Sequence, residues 1–237
     1  MTGQIRIPAK ELGELTLPDF CPCCFWIKLH LPEGLPFQIF PGIFNSIDAY
    51  TKRLIQKWFD QYGRPPSWLS DLGDIHTYRE PPHHSKFQVF DPDTSILLTG
   101  TPDAVFVQAD GSYLIADYKT ARFTGTQDKL SSKYEVQLNA YAYIGEHCGL
   151  SPVSGLALIY LEPVIDVKGV DEEDPVTPEG FILEFSAKIL PVRLDFQKIP
   201  LLVRKVREIY DQDRPPRGVD GCKNCELLRH LMTVATA

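Results

Sequence analysis

Between Thr101 and Tyr141 the chain carries side chains suited to holding a divalent cation against a phosphodiester. Asp103 follows Pro102, Asp117 and Lys119 flank Tyr118, and Gln137 and Tyr141 stand four residues apart. Two facing carboxylates repel unless a cation lies between them, and hard oxygen ligands suit Mg²⁺ or Mn²⁺. Such an ion polarises a phosphoryl oxygen and lowers the pKa of a bound water. A neighbouring ammonium then positions that water or offsets charge developing on the phosphate. The chemistry these residues would do is phosphodiester hydrolysis.

Everything in that reading depends on strand register. A three-residue hairpin loop, Ala109-Asp110-Gly111, with Gly111 left-handed, pairs Gln108 with Ser112. Counting back along both strands sets Asp103 opposite Asp117, about 5 Å apart at Cβ. Lys119, two residues beyond Asp117, falls on the same face. A two-residue loop would shift the pairing and send Asp103 to the other face. The competing reading makes Asp103 a turn residue and Asp117 and Lys119 solvated strand ends.

The elements that must position this set are legible as a mixed α/β pattern. A helix runs from Phe44 to Tyr62 on the apolar spacing Ile47, Tyr50, Leu54, Ile55, Trp58 and Phe59. Residues 64–85, rich in Pro and His, are expected to form a long loop with room for one helical turn. Three strands follow, at Lys86–Phe90, Ile96–Val107 (bent near Gly100) and Ser112–Tyr118. A helix over Tyr134–His147 places Gln137 and Tyr141 on one face. A buried strand at Gly155–Leu161, an acidic excursion over 166–180, a strand at Phe181–Ile189 and a helix at Phe196–Asp211 complete the body. An antiparallel meander with helices on its faces satisfies this order. Residues 1–42 are expected to be irregular, broken by Pro18, Pro22, Pro32, Pro36 and Pro41, apart from one short helix or strand over Phe25–Leu31.

Six cysteines are unevenly placed: Cys21, Cys23 and Cys24 near one end, Cys222 and Cys225 near the other, and Cys148 alone. Without a recognisable secretion signal, this clustering reads as metal ligation rather than disulfides. Four thiolates suit Zn²⁺ or a [4Fe–4S] cluster, and spacing does not separate the two. Cys21 with Cys24 gives the better spacing, with Cys23 the alternative to Cys24. A shared site would clip the two ends of the chain together.

At 237 residues, one domain with elaborations is expected, its core over about 44–211 and a cysteine-bearing clip formed by 1–43 and 212–237. No apolar run is long enough for a membrane span, so a cytoplasmic protein without membrane association is expected. The net charge of −7 argues against a surface coated in positive charge for indiscriminate nucleic-acid binding. Lys52, Arg53 and Lys57 form a local basic cluster that reads as a solvated helix face.

Pro102-Asp103 with Asp117-Tyr118-Lys119 resembles the signature of the PD-(D/E)XK nuclease superfamily, and Gln137…Tyr141 resembles the Q-x-x-x-Y pattern of its RecB-like branch. The resemblance implies a three-layer, restriction-endonuclease-like α/β core with a central mixed sheet. It implies a metal-dependent deoxyribonuclease acting on single strands or DNA ends, with Asp103 and Asp117 on Mg²⁺ or Mn²⁺, Lys119 serving the water, and Gln137 and Tyr141 contacting the strand. Family members usually add an upstream acid or His; Asp48, His76, Glu80, His83 and His84 are the candidates here. CRISPR-associated and AddB-like relatives bracket the core with cysteines holding an iron–sulfur cluster. That favours [4Fe–4S] over zinc on Cys21, Cys24, Cys222 and Cys225, although Leu231 stands where a third C-terminal cysteine is usual. Recombination, phage or CRISPR-associated proteins are the implied partners. The rival functions are a nucleic-acid-binding or assembly module that cuts slowly or not at all, and a zinc-stabilised interaction protein.

Overall fold

The structure, a computed structural model, describes residues 3–31, 42–123, 128–165 and 176–236. Its elements in chain order are β1 (Ile5–Pro8), α1 (Ala9–Leu12), α2 (Pro22–His30), α3 (Ile43–Tyr62), β2 (Ile75–Arg79), β3 (Gln88–Asp91), β4 (Ile96–Thr99), β5 (Ala104–Gln108) and β6 (Tyr113–Thr120). They continue as α4 (Asp128–His147), β7 (Val153–Pro163), β8 (Val176–Thr177), β9 (Gly180–Phe181), β10 (Phe185–Val192), α5 (Ile199–Tyr210) and α6 (Lys223–Ala235).

The central sheet has the order β10-β7-β6-β5-β2. Side-chain alternation along β6 sorts its two faces. Leu114, Ala116 and Tyr118 pack with Ile55 and Phe59 of α3 on one side, and Ile115 packs with Leu138, Ala142 and Ile144 of α4 on the other. Each such fully buried aliphatic or aromatic side chain contributes about 1.5–3 kcal/mol through loss of apolar surface to water. A sheet between helix layers is the three-layer architecture the sequence implied. Beyond α4 lies α5, which buries Ile199, Val203, Val206 and Ile209 in the same core.

Four expectations need correction. The sheet is mixed, as the family resemblance implied, and not the antiparallel meander that the element order also satisfied: β6 pairs parallel with β7, because the chain between them crosses over through α4. The run Ile96–Val107 is two strands in two sheets, since β4 pairs with β1 and β3 while β5 pairs with β2 and β6. Pro102 lies between them and has no N–H to continue a ladder. The loop assigned to 64–85 contains β2, an edge strand with one buried residue, Ile75, besides a helical turn at Ser67–Leu72. Residues 3–31 carry β1, α1 and α2, with Ile5, Ile7, Leu12 and Phe25 buried in the main core. Residues 32–41, and most of the acidic excursion expected over 166–180, lie outside the described residues.

Candidate active site and metal centre

The hairpin between β5 and β6 turns through Ala109-Asp110-Gly111, with Gly111 at φ +83°, a conformation that favours glycine. The Gln108 N–H donates to the Ser112 carbonyl (2.9 Å), and the ladder runs from Val107↔Tyr113 to Ala104↔Ala116. Extended by one pair, this register sets Asp103 opposite Asp117. The β5 ladder stops there while β6 continues beside β7 to Thr120↔Leu161. Past the last rung the Tyr118 N–H donates to Asp103 Oδ2 (2.9 Å) in place of a strand carbonyl. The candidate site therefore sits where two strands part.

Asp117 is 3% exposed and points toward α4. Gln137 Nε2 donates to its Oδ1 (3.1 Å) and to the Tyr141 hydroxyl (2.9 Å). Lys119 forms an ion pair with Oδ2, an oxygen that has no hydrogen-bond partner of acceptable geometry. The Lys119 ammonium also lies over the ring of Tyr134, 4.3 Å from its centroid. Asp103 Oδ1 pairs with Lys52 (2.7 Å), and Lys52 pairs in turn with Asp48 (2.9 Å). Three carboxylates thus share two ammonium groups.

Electrostatics follow from that deficit. Burial, then the charge of Asp103, pushes the Asp117 carboxyl up to about 7, with Lys119 working in the opposite direction. Burial opposes the charge on Lys52, but Asp103 and Asp48 outweigh it and raise its pKa. Burial, and secondarily Asp117, raises the Tyr141 hydroxyl far above its usual range. A buried carboxylate whose proton affinity is raised by a second carboxylate is a donor set that a divalent cation fits, because the cation would relieve both burdens.

Asp103, Asp117, Lys119, Gln137 and Tyr141 are therefore gathered in one place. Gln137 and Tyr141 are each only 6% exposed, so they stand behind Asp117. Of the upstream candidates, Asp48 reaches the group through Lys52. His76 is exposed on β2, and Glu80, His83 and His84 line a hollow beside Thr101. Sequence reasoning missed Tyr134 and the bridging role of Lys52. The spacing 134/137/141 on α4 carried a signal for the first, whereas the second needs α3 laid across the strand end.

Away from this site, Cys21, Cys24, Cys222 and Cys225 bring their sulfurs within 4.8 Å of one another. Individual separations are 3.4 Å (Cys24–Cys225) and 3.6 Å (Cys21–Cys225 and Cys24–Cys222). Cys21 and Cys222 are the N-cap residues of α2 and α6, so two helix N-termini converge on the thiols. Those ends favour negative charge. Burial opposes ionisation of Cys21, but the backbone N–H groups of Cys24 and Val219 and the Cys225 thiol lower it to about 6. Burial pushes Cys24 up to about 12. Gly218 lies against the group, where a Cβ would come 2.8 Å from Cys225 Sγ. Cys23 is not among the four, and this cradle can hold a metal.

The family model of the PD-(D/E)XK nuclease superfamily matches residues 44–229, and the chain belongs to that superfamily, a group of nucleases acting on nucleic acid. Among solved structures, one titled "Crystal structure of SSO0001" is similar at 13% identity and TM-score 0.42, covering 91% of this chain and 80% of that one. No curated protein matches the chain. Among the described residues, no helix is long and apolar enough to cross a membrane.

Proposed function

We propose that this protein is a metal-dependent DNA nuclease of the RecB-like branch that hydrolyses phosphodiester bonds in single strands or at DNA ends. The observation that supports it most is the buried Asp117, held between Lys119 and Gln137 and opposed by Asp103 at the parting of β5 and β6. Asp103 and Asp117 would hold Mg²⁺ or Mn²⁺, which when bound activates a water and offsets phosphate charge. Lys119, steadied by the Tyr134 ring, presents its ammonium beside Asp117 to orient the attacking water and stabilise negative charge on the phosphoryl oxygens. Gln137 acts as a positioning residue, fixing the Asp117 carboxylate from behind, and Tyr141 holds Gln137. Asp48 is the upstream acid that the geometry favours, since Lys52 links it to Asp103.

The four-thiol cradle supports the zinc alternative over the [4Fe–4S] cluster that the family resemblance favours. Zn–S bonds of about 2.3 Å imply tetrahedral sulfur–sulfur edges of about 3.8 Å; three sulfur pairs lie at 3.4–3.6 Å, slightly inside that value, and all four sulfurs lie within 4.8 Å of one another. A cubane cluster binds each thiolate to a different iron and spreads the sulfurs farther apart.

Cleavage of labelled single- and double-stranded DNA with Mg²⁺ or Mn²⁺, comparing wild type with Asp117→Ala and Lys119→Ala, tests the enzyme reading. Wild type should cut, and each variant should lose on the order of 10²–10³ in rate. Wild type that leaves both DNAs intact in both metals would overturn the proposal. Metal analysis of anaerobically purified protein tests the cradle: one zinc and no colour support it, and brown protein absorbing near ~400 nm does not.

A further inference from the structure

Two hollows adjoin the candidate active site without being lined by Asp103 or Asp117. One, of about 480 Å³, is walled by Glu80, Pro81, Pro82, His83, His84 and Thr101. The other, of about 340 Å³, includes Arg6, Lys10, Gly100 and Tyr141 and shares His84 and Thr101 with the first. The shared residues make them one groove, and each part lies in the size range of sites for small organic ligands, nucleotides included. The groove runs toward the chemistry. Thr101 is two residues before Asp103, and Tyr141 is joined through Gln137 to Asp117.

Its walls divide by chemistry. Arg6 and Lys10 are exposed on β1 and α1 and, among the described residues, form no ion pair. Two free cations on one wall suit phosphate oxygens. The other hollow offers apolar Pro81 and Pro82 with the exposed rings of His83 and His84, whose centroids are 4.0 Å apart. Exposed rings beside prolines suit the flat face of a base, and Glu80 there disfavours a phosphate. The floor is close-packed: a Cβ on Gly100 would fall 2.6 Å from Tyr141 Cε1.

We propose that this groove binds single-stranded nucleic acid flanking the scissile phosphate, with Arg6 and Lys10 on the phosphates and His83 and His84 against the bases. The inference rests on the nuclease reading above and extends it to a strand path.

The test is equilibrium binding of fluorescent 12-mers, oligothymidylate and oligouridylate, to the metal-loaded full chain without Mg²⁺ or Mn²⁺, across a salt series. Each phosphate neutralised on a single strand contributes about 0.7 to the slope of log affinity against log salt. Arg6→Ala/Lys10→Ala should lower that slope by about 1.4 and weaken binding about tenfold or more near physiological salt. Arg6→Lys/Lys10→Arg should keep the wild-type slope, which separates lost charge from misfolding. His84→Ala should weaken binding about fivefold or more with the slope unchanged, the signature of lost stacking. The relative affinities of the two oligomers identify whether DNA or RNA is preferred. An unchanged slope in the double alanine variant, or wild type that binds neither oligomer at low salt, overturns the inference. Wild type that binds in this pattern yet never cleaves sinks the nuclease reading and leaves the groove standing. Wild type that cleaves with the double variant unaffected sinks the groove alone.

Discussion

Burying Asp117 should make the metal-free protein less stable as pH rises. An ordinary Asp titrates near 3.8, and this one is pushed to about 7 by burial and by Asp103. Between those values the folded chain holds a proton that the unfolded chain has released. Stability therefore falls as pH rises through the window from about 4 to about 7, and the full benefit is present only below it. Three pKa steps at about 1.36 kcal/mol each set the swing at no more than about 4 kcal/mol. Asp117→Asn keeps the shape and an acceptor for Gln137 but removes the titration. Urea midpoints at pH 4.5 and pH 8, in buffer without Mg²⁺ or Mn²⁺, measure it. The two proteins differ at position 117 alone, so the comparison isolates that one carboxyl. Wild type should lose stability relative to Asp117→Asn across this range, and the variant should be the more stable at pH 8. Added Mn²⁺ should then stabilise wild type more at pH 8 than at pH 5.5, and leave the variant unmoved. Parallel pH dependences for the two proteins, or a wild type that is the more stable at pH 8, would refute the reasoning.

Other consequences follow from the same contacts. Gln137→Leu strips Asp117 Oδ1 of its donor, costs about 1–3 kcal/mol, and should move the pH midpoint of cleavage upward while KM changes little; a pH–rate profile reads this. Gly100→Ala drives a Cβ into the Tyr141 ring, which is buried and held by Gln137, so thermal unfolding should register a loss of about 1–3 kcal/mol. Cys222→Ser should lower metal content and free α6, which has no buried residues of its own. Limited proteolysis should then cut first between residues 212 and 236, leaving the remainder resistant.

Much of the candidate site's geometry was legible because it is local. Asp110-Gly111 between alternating strands specifies the turn, the turn specifies the register, and the register places Asp103 against Asp117. Helix α3 was legible from an apolar spacing that includes Ile55 and Phe59, and the C-terminal two thirds of α4 from the run Tyr134–His147 that sets Gln137 and Tyr141 one turn apart. What escaped was set by distant partners. β1 and β2 are strands of four and five residues whose pairing lies with β4 and β5; β1 alternates only over Ile5-Arg6-Ile7, too short a stretch to read as a strand, and β2 does not alternate. The division of Ile96–Val107 arises where Gly100 meets Tyr141 and Pro102 ends the ladder; in sequence Thr99-Gly100-Thr101-Pro102-Asp103 reads equally as a bend within one strand, and only the different pairing partners of the two halves separate them. The parallel partnership of β6 and β7 depends on where α4 lies. Lys52 gave no sign that it faces two acids, because a charged residue on an amphipathic helix reads as solvated until its neighbour across the fold is known.

The thiol cradle has a mechanical corollary. With one ion bridging α2 and α6, some two hundred residues become a closed covalent-and-coordinate ring, and cross-links spanning a loop that long stabilise by about 5 kcal/mol in chain-entropy terms. Force applied to α6 by an unfolding motor would meet metal–sulfur bonds before it reached any strand of the central sheet. An oxidant that consumes those thiolates would remove the restraint without touching an acidic side chain, so the tail would loosen while the candidate active site stayed assembled.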